Sequence, residues 1–458
     1  MDRTKTEKEF KKKKRVKRKV FSPVKYSMNK NMENASMFRA TGPKSTEYTQ
    51  LEEYIEKYYD MLKKKQKSQA DRFLQSIRKF VLMHGCSDED ILSETPSGTG
   101  VGINVGAKGG VSQASSDHLT SVTSTSSIGT ASSTSTTNTS STLNPNGNEE
   151  KDKEGDKEKR TNSSLFARIG HELPTIRKVE DTLRGRLWRV VLGVSKLNAN
   201  AYQNEIQKNE APDNAYVLIR NDTKRTFANN EAFKSRVSEE RLIRVLNSFV
   251  YKSNHKYCQG MDCIAGILLH TMPELHAFHT FTVLMVNHFP TYFDTDESDA
   301  RKSLTGAYAG ACLARQVIEV IDEELFQHLK PIDPWQYLFP IVLSFQTLAQ
   351  PFHEVQHLWD FLFCFGVHLN PIVAAAQIIA KKDLLMEQTP NALSQGLLSQ
   401  RKWLNGQLDG RLVVKISMDI ICTLKSNDKY KSLWQDILTH TTNLENARRI
   451  KQKNSSTK

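Results

Sequence analysis

No stretch of this sequence approaches eighteen consecutive apolar residues, so a membrane-spanning helix is not expected. No C-x-x-C pair occurs among the six cysteines, at 86, 258, 263, 312, 364 and 422, which argues against a zinc ribbon or a redox motif. The Lys-rich start lacks the apolar core of a secretory signal. The cysteines are therefore read as reduced thiols of a cytosolic or nuclear protein, and the N-x-S/T triplets at Asn34, Asn138 and Asn162 carry no weight. A GxxxxGK(S/T) phosphate loop, an HExxH helix and a GxSxG elbow are all missing, which removes three common enzyme classes. Hydrophobic residues are scarce, at 38% of 458 against about 45–50% in a compact domain. Part of the chain must lie outside any core.

The formal net charge of +13 suggests a nucleic-acid binder until it is located. Residues 1–26 carry twelve Lys/Arg and three Asp/Glu, and residues 446–458 carry five Lys/Arg and no acid, so everything between is close to neutral at −1. A folded nucleic-acid binder carries its positive charge as a patch on the domain. Blocks of like charge at the ends instead read as solvated tails, and no specific nucleic acid is expected. The run Lys11-Lys12-Lys13-Lys14-Arg15-Val16-Lys17-Arg18-Lys19 also fits nuclear import or contact with an anionic surface.

Residues 1–44 read as a disordered basic tail. Leu51, Tyr54, Ile55, Tyr58, Met61 and Leu62 then recur at helical spacing, as do Phe73, Leu74, Ile77, Phe80 and Val81, with Gly85 a plausible stop. From 91 to 164 the chain is Gly-rich, then Ser/Thr-rich, then of mixed charge. Such composition cannot offset chain entropy by burial and predicts disorder. The helices of 45–90 cannot bury two amphipathic faces alone, so the segment reads as an insertion, with 45–90 packing against the chain beyond 165; long loops add little closure entropy. Its hydroxyls would admit phosphorylation, or it is a low-complexity expansion without a role.

From 165 to 445 the pattern is helical throughout, with no alternating strands. Ser238 precedes the stripe Leu242, Val245, Leu246 and Phe249. Leu313, Val317, Val320, Ile321 and Leu325 form another. Ile372, Val373, Ala376, Ile379 and Ala380 come after Pro371 at an expected helix start, and Leu433, Trp434, Ile437 and Leu438 suggest a last helix. The pattern predicts an all-α fold of a dozen or more helices, as one large domain or two helical lobes. Residues 446–458 read as a basic C-terminal tail. His270, His276, His279 and His288 do not share one helical face and are interrupted by Pro273, so they read as core-edge histidines and no metal site is expected.

Two short segments stand apart, Ile219-Arg220-Asn221-Asp222-Thr223-Lys224-Arg225-Thr226 and, about thirty residues later, Tyr257-Cys258-Gln259-Gly260-Met261. With Leu183-Arg184-Gly185-Arg186-Leu187-Trp188 upstream, and Leu358-Trp359-Asp360 with Gly366 downstream, they resemble the motifs of the TBC family. Its members are GTPase-activating proteins for Rab-type small GTPases. The pattern I-x-x-D-x-x-R falls on Ile219, Asp222 and Arg225, and Y-x-Q-G-M on Tyr257, Gln259, Gly260 and Met261. Glu354 to Phe363 and Gly366 to Pro371 resemble the mitotic-exit and septation-control branch of that family. Tyr337 to Leu343 departs from the Trp-rich segment most members carry, which puts a vesicle-traffic Rab in doubt as substrate.

The resemblance implies a TBC-type domain of two lobes over 165–445. It implies that Arg225 is an arginine finger and Gln259 a second finger, replacing the glutamine a GTPase normally supplies. The chemistry suits both residue types. A guanidinium is always charged and presents a planar fork of donors; a carboxamide holds an acceptor and a donor for orienting water. A finger supplied in trans contributes roughly 10³–10⁵ in rate, or about 4–7 kcal/mol. No cofactor is expected of this chain, since GTP and magnesium belong to the partner. A scaffold subunit, and a place in the cytoplasm at spindle poles, are implied by the branch. A scaffold with a TBC fold that binds a GTPase without catalysis is the alternative. Thr226 closes the first motif segment. Read without the resemblance, Arg225 is a surface arginine paired with Asp222, Gln259 a polar turn residue, and Trp188 and Trp359 core anchors; Tyr257 and Met261 fit either core or interface.

Overall fold

A computed structural model describes residues 45–86, 181–194, 197–207, 213–253, 255–294, 304–396, 398 and 408–455. The expected N-terminal tail with its Lys11–Lys19 run, the 91–164 insertion and the 165–180 stretch lie outside the described residues. Those described form nineteen α-helices with no strand. The first two are α1 (Ser45–Lys63) and α2 (Lys67–His84). Then come α3 (Leu183–Leu192), α4 (Ala199–Gln207), α5 (Asp213–Thr223), α6 (Glu231–Arg236), α7 (Glu239–Ser253), α8 (Met261–Thr271) and α9 (Glu274–Val283). The remainder are α10 (Thr305–Ile321), α11 (Glu323–Leu329), α12 (Pro334–Leu343), α13 (Phe352–Phe365), α14 (Asn370–Ile379), α15 (Lys382–Met386), α16 (Pro390–Gln395), α17 (Gly410–Ser426), α18 (Lys431–Thr439) and α19 (Leu444–Ser455).

Local chemistry sets many of the ends. Thr182 caps α3 by accepting the Gly185 N–H at 3.0 Å, and Gly193 closes it in the left-handed conformation at φ +75°, which glycine adopts without strain. Asp333 caps α12 through the Trp335 N–H, with Pro334 in the first turn, where a missing N–H costs nothing. Pro371 likewise sits in the first turn of α14. The apolar stripe from Leu313 to Leu325 is not one helix. Asp322 ends α10 and caps α11 by accepting the Leu325 N–H at 3.0 Å, because a short acceptor side chain favours a cap over a helix interior.

Helices α3 to α9 form one group around α7, which packs on α4, α5, α8 and α9. Its predicted stripe Leu242, Val245, Leu246 and Phe249 is buried. Arg244 holds both oxygens of Glu274 at 2.8 Å, and the Tyr202 hydroxyl donates to the same carboxylate at 2.8 Å. The second group surrounds α10, which packs on α12, α14 and α19, while α14 packs on α17. Helix α13 spans the two groups, touching α3, α17 and α2.

Chain expected to be a basic tail from 446 onward is helical to Ser455, and the helix ending at Thr439 is not the last. Ala447 and Ile450 are buried at helical spacing against α10. The basic residues of α19 share it with this narrow apolar face, and only the face decides whether it packs.

The centre of the molecule is polar as well as apolar. Trp188 and Trp359 are fully buried with ring centroids 5.4 Å apart. The Trp188 indole donates to Asp360 Oδ1 at 2.7 Å, and the Trp359 indole to the Phe345 carbonyl at 2.8 Å. Arg184, also buried, donates to both Asp360 oxygens at 3.2 Å, to Gln356 at 3.3 Å and to the Cys86 carbonyl at 2.7 Å. One guanidinium thus joins α3, α13 and the chain just after α2. Arg186 adds an ion pair to Glu52 on α1. Leu51, Ile55, Ile77, Phe80 and Val81 supply the buried faces of α1 and α2.

Removing one partner of a buried ion pair strands the other. Asp360→Ala is expected to lower the unfolding free energy by about 3–5 kcal/mol, read as a fall in the urea midpoint. A variant with an unmoved midpoint would show that Arg184 finds other acceptors.

Candidate functional site

The two segments singled out in the sequence meet at one place. Ile219 and Tyr216 anchor α5 in the core. After Thr223 the helix loosens into turns held by the Arg225 and Thr226 N–H groups, both donating to the Asp222 carbonyl at 3.0 Å. Arg225 therefore projects from the end of a fixed helix, with 61% of its side chain exposed. Phe227 comes next, in the left-handed region at φ +48°. Its ring packs edge-on against Phe233 and Phe352. A Cβ at Gly266 of α8 would lie only 3.2 Å from that ring, so the glycine gives the turn room to approach α8.

The second segment enters α8 through Gly260, whose φ of +102° is unfavourable for any residue with a Cβ. Met261 behind it is buried, which places it in the core. Gln259 is exposed and its side chain makes no hydrogen bond with any described residue.

Buried carboxylates join the two segments. Tyr257, largely buried, donates its hydroxyl to Asp222 Oδ2 at 2.8 Å and lies 3.4 Å from Asp262 Oδ1. The other Asp222 oxygen pairs with Arg225. Asp262 accepts the Gly260 N–H at 2.8 Å and the Thr226 hydroxyl at 2.7 Å. Burial, with the two carboxylates added, pushes the Tyr257 phenol far above its ordinary range, so it remains a donor. Burial also pushes the Cys258 thiol up to about 11, so at neutral pH it is protonated. Tyr257 is thus neither plain core nor contact surface: it is the hydroxyl that ties the Gln259 segment to α5.

Arg225 does pair with Asp222, as a bare reading of the sequence allows. The guanidinium is the exposed member of the pair and the carboxylate is buried, 61% against 9%, so the arginine stays within reach of a partner while Asp222 is anchored in the protein. Asp262 does not stand out in the sequence. Its only local signal is an acid in the first turn of a helix, which favours the helix dipole by itself; its link to Thr226 spans 36 positions.

The histidines at 270, 276, 279 and 288 are used individually. His270 packs on Phe233 and Phe352. His279 accepts the Asn198 N–H at 3.0 Å. His288 lies 3.3 Å from the Leu192 carbonyl, and His276 lies 3.4 Å from Asp181. Among the described residues no three metal-ligating side chains converge, and no helix is long and apolar enough to cross a membrane.

The turns that carry Arg225 and Gln259 are thus cross-linked, on an all-α scaffold with the R-G-x-x-W and W-D elements at its centre. Residues 181–386 match the Rab-GTPase-TBC domain, so the chain carries a Rab-GTPase-TBC domain. A Dictyostelium discoideum protein named for the mitotic check point protein BUB2 is 34% identical over 243 residues, covering 52% of this chain and 62% of its own. Cell division control protein 16 of Schizosaccharomyces pombe is 31% identical over 207 residues, covering 44% of this chain and 66% of its own. The chain thus spans a little under two thirds of each of these relatives. Among solved structures, the Ypt/Rab-GAP domain of Gyp1p overlaps 58% of this chain and 93% of its own at 14% identity, with a TM-score of 0.41.

Gly260 gives a direct test of the turn. The added Cβ of Gly260→Ala would come no closer than 3.8 Å to Leu343 Cγ, so crowding is not the issue. Backbone strain alone is expected to lower stability by about 1–2 kcal/mol in a denaturant titration. An unchanged midpoint would show that the turn relaxes out of the left-handed region at little cost.

Proposed function

We propose that this protein is a GTPase-activating protein for a Rab-like small GTPase, and that Arg225 and Gln259 enter the partner's nucleotide site as paired fingers. The observation that carries the reading is that an exposed guanidinium and an exposed carboxamide stand on turns sharing one hydrogen-bonded base, within a Rab-GTPase-TBC domain.

The reaction belongs to the partner's substrate. Water attacks the γ-phosphorus in line, the bond to the β–γ bridging oxygen breaks, and GDP and inorganic phosphate result. Negative charge spreads over the γ-phosphoryl and bridging oxygens, so catalysis is mainly positioning and electrostatic stabilisation. Arg225, the exposed member of its pair with buried Asp222, turns to those oxygens and its fork donates to them. Asp222 keeps its hydrogen bond from Tyr257. The Gln259 carbonyl accepts from the attacking water while its NH₂ donates to a γ-oxygen. GTP and its magnesium arrive with the partner.

Helix α5 supplies a docking face beside the finger. Val217 and Leu218 are 55% and 54% exposed. Helical spacing carries that side on to Asn221, and Lys224 and Arg225 follow in the turn beyond the helix, all exposed. Two apolar side chains leading into cations suit a partner that presents an apolar surface next to bound phosphates. We further propose that such a GTPase acts in cell-division control, a reading supported by the mitotic and cell-division names of the relatives; a place in the cytoplasm at spindle poles and a scaffold subunit as second component belong to the same proposal and rest on the branch resemblance.

Single-turnover GTP hydrolysis, screened over purified small GTPases with and without a scaffold subunit, tests the reading. Arg225→Ala is expected to slow the stimulated step by about 10³-fold, and Gln259→Ala by about 10²-fold. Leu218→Glu is expected to raise KM roughly tenfold with kcat little changed, the pattern of lost binding. If Arg225→Ala and Gln259→Ala both stimulate as well as the parent, the fingers are wrongly assigned.

A further inference from the structure

Asp262 touches the chain immediately beyond each proposed finger. Oδ1 accepts the N–H of Gly260, the residue after Gln259, at 2.8 Å. Oδ2 accepts the hydroxyl of Thr226, the residue after Arg225, at 2.7 Å. The carboxylate is 4% exposed and begins α8, a helix buried along most of its length. The Gly260 N–H and the Gln259 carbonyl belong to one planar peptide unit. Holding that N–H therefore orients the backbone from which the Gln259 side chain leaves. On the other side, the Thr226 hydroxyl also lies 2.9 Å from the Asp222 carbonyl, the same carbonyl that receives the Arg225 N–H.

We propose that Asp262 is a positioning residue that sets the spacing of the two fingers by holding the Gly260 peptide and the Thr226 hydroxyl on one carboxylate. The inference rests on the finger reading above and adds to it a residue that contacts neither water nor nucleotide. Without Asp262, the Tyr257–Asp222 bond still joins the segments. That bond reaches the Gln259 turn two residues before the finger and leaves the Gly260 peptide free to rotate. The pair should then hold together as a fold and lose its alignment, and a misplacement of about 1 Å can cost about 10²-fold in rate.

A different role must be separated from this one. A carboxylate in the first turn of α8 also suits the helix dipole, and such a role needs the charge. Positioning needs only geometry. In Asp262→Asn the amide oxygen can still accept the Gly260 N–H. The amide nitrogen can donate to Thr226 Oγ1, whose own hydrogen then goes to the Asp222 carbonyl. Asparagine should therefore restore what alanine removes.

The test uses the full chain and three variants: Asp262→Ala, Asp262→Asn and Thr226→Val. Each is measured for single-turnover hydrolysis by the responding GTPase and for binding to that GTPase loaded with a non-hydrolysable GTP analogue. Amide exchange is measured in the free protein. Asp262→Ala is expected to lower kcat by roughly 30- to 100-fold with affinity within about threefold. Exchange should rise about tenfold or more at Gly260 and across 224–227, with α10 and α14 unmoved. Asp262→Asn should recover kcat and exchange to within about threefold of the parent. Thr226→Val cuts only the arginine side, so kcat should fall while Gly260 exchange stays low. The proposal is overturned if Asp262→Ala keeps the parent's kcat and exchange, if asparagine fails as badly as alanine, or if binding falls in step with kcat. A parent protein that stimulates no small GTPase would overturn the function proposed above. The exchange measurements would then decide alone whether Asp262 links the two turns.

Discussion

Two buried carboxylates a few ångströms from one phenol hold the two turns of the candidate site together. Asp222 ends α5 and Asp262 begins α8, and Tyr257 lies between them, donating to one and close to the other. Like charges in a partly dry site are unfavourable unless each is hydrogen-bonded. Here the donors include the phenol, the Thr226 hydroxyl, the Gly260 peptide and the Arg225 guanidinium. Three of these are buried or part of the backbone. The fourth is exposed, and it is the one that a partner could draw away without collapsing the rest.

The same logic at the centre yields rigidity instead of release. Arg184 and Asp360 are both out of water, and all three guanidinium nitrogens donate, to two carboxylate oxygens, one amide and one carbonyl. A pair so enclosed is poorly suited to move. Arg184–Asp360 and Arg225–Asp222 are thus arginine–aspartate pairs of opposite character, and exposure of the guanidinium is what separates them.

Where one face of a helix is apolar, the sequence is a good guide. Leu242, Val245, Leu246 and Phe249 are buried as their spacing predicts, and Gly85 and Pro371 stand at helix ends. Capping by single polar side chains is harder to read: Asp322 divides a continuous apolar stripe into two helices. The last helix hides behind its charge, since two buried residues, Ala447 and Ile450, are a weak pattern among so many cations. At the site, the motif residues can be named from the sequence, yet what brings them together cannot. Left-handed backbone at Phe227, the space that Gly266 leaves for its ring, and the reach of Asp262 to Thr226 are all products of tertiary packing. None has a local periodic signature.

The covering of α10 and α14 has a practical corollary for anyone defining the boundaries of this domain. The matched stretch ends at residue 386, whereas α19 lies against α10 and α17 against α14, and α2 and the Cys86 carbonyl, ahead of that stretch, complete the surroundings of α13 and Arg184. A fragment trimmed to the matched residues would expose three greasy helix faces and take the Cys86 carbonyl from the buried Arg184 guanidinium. The stretch that the family model covers is therefore smaller than the set of helices that pack together.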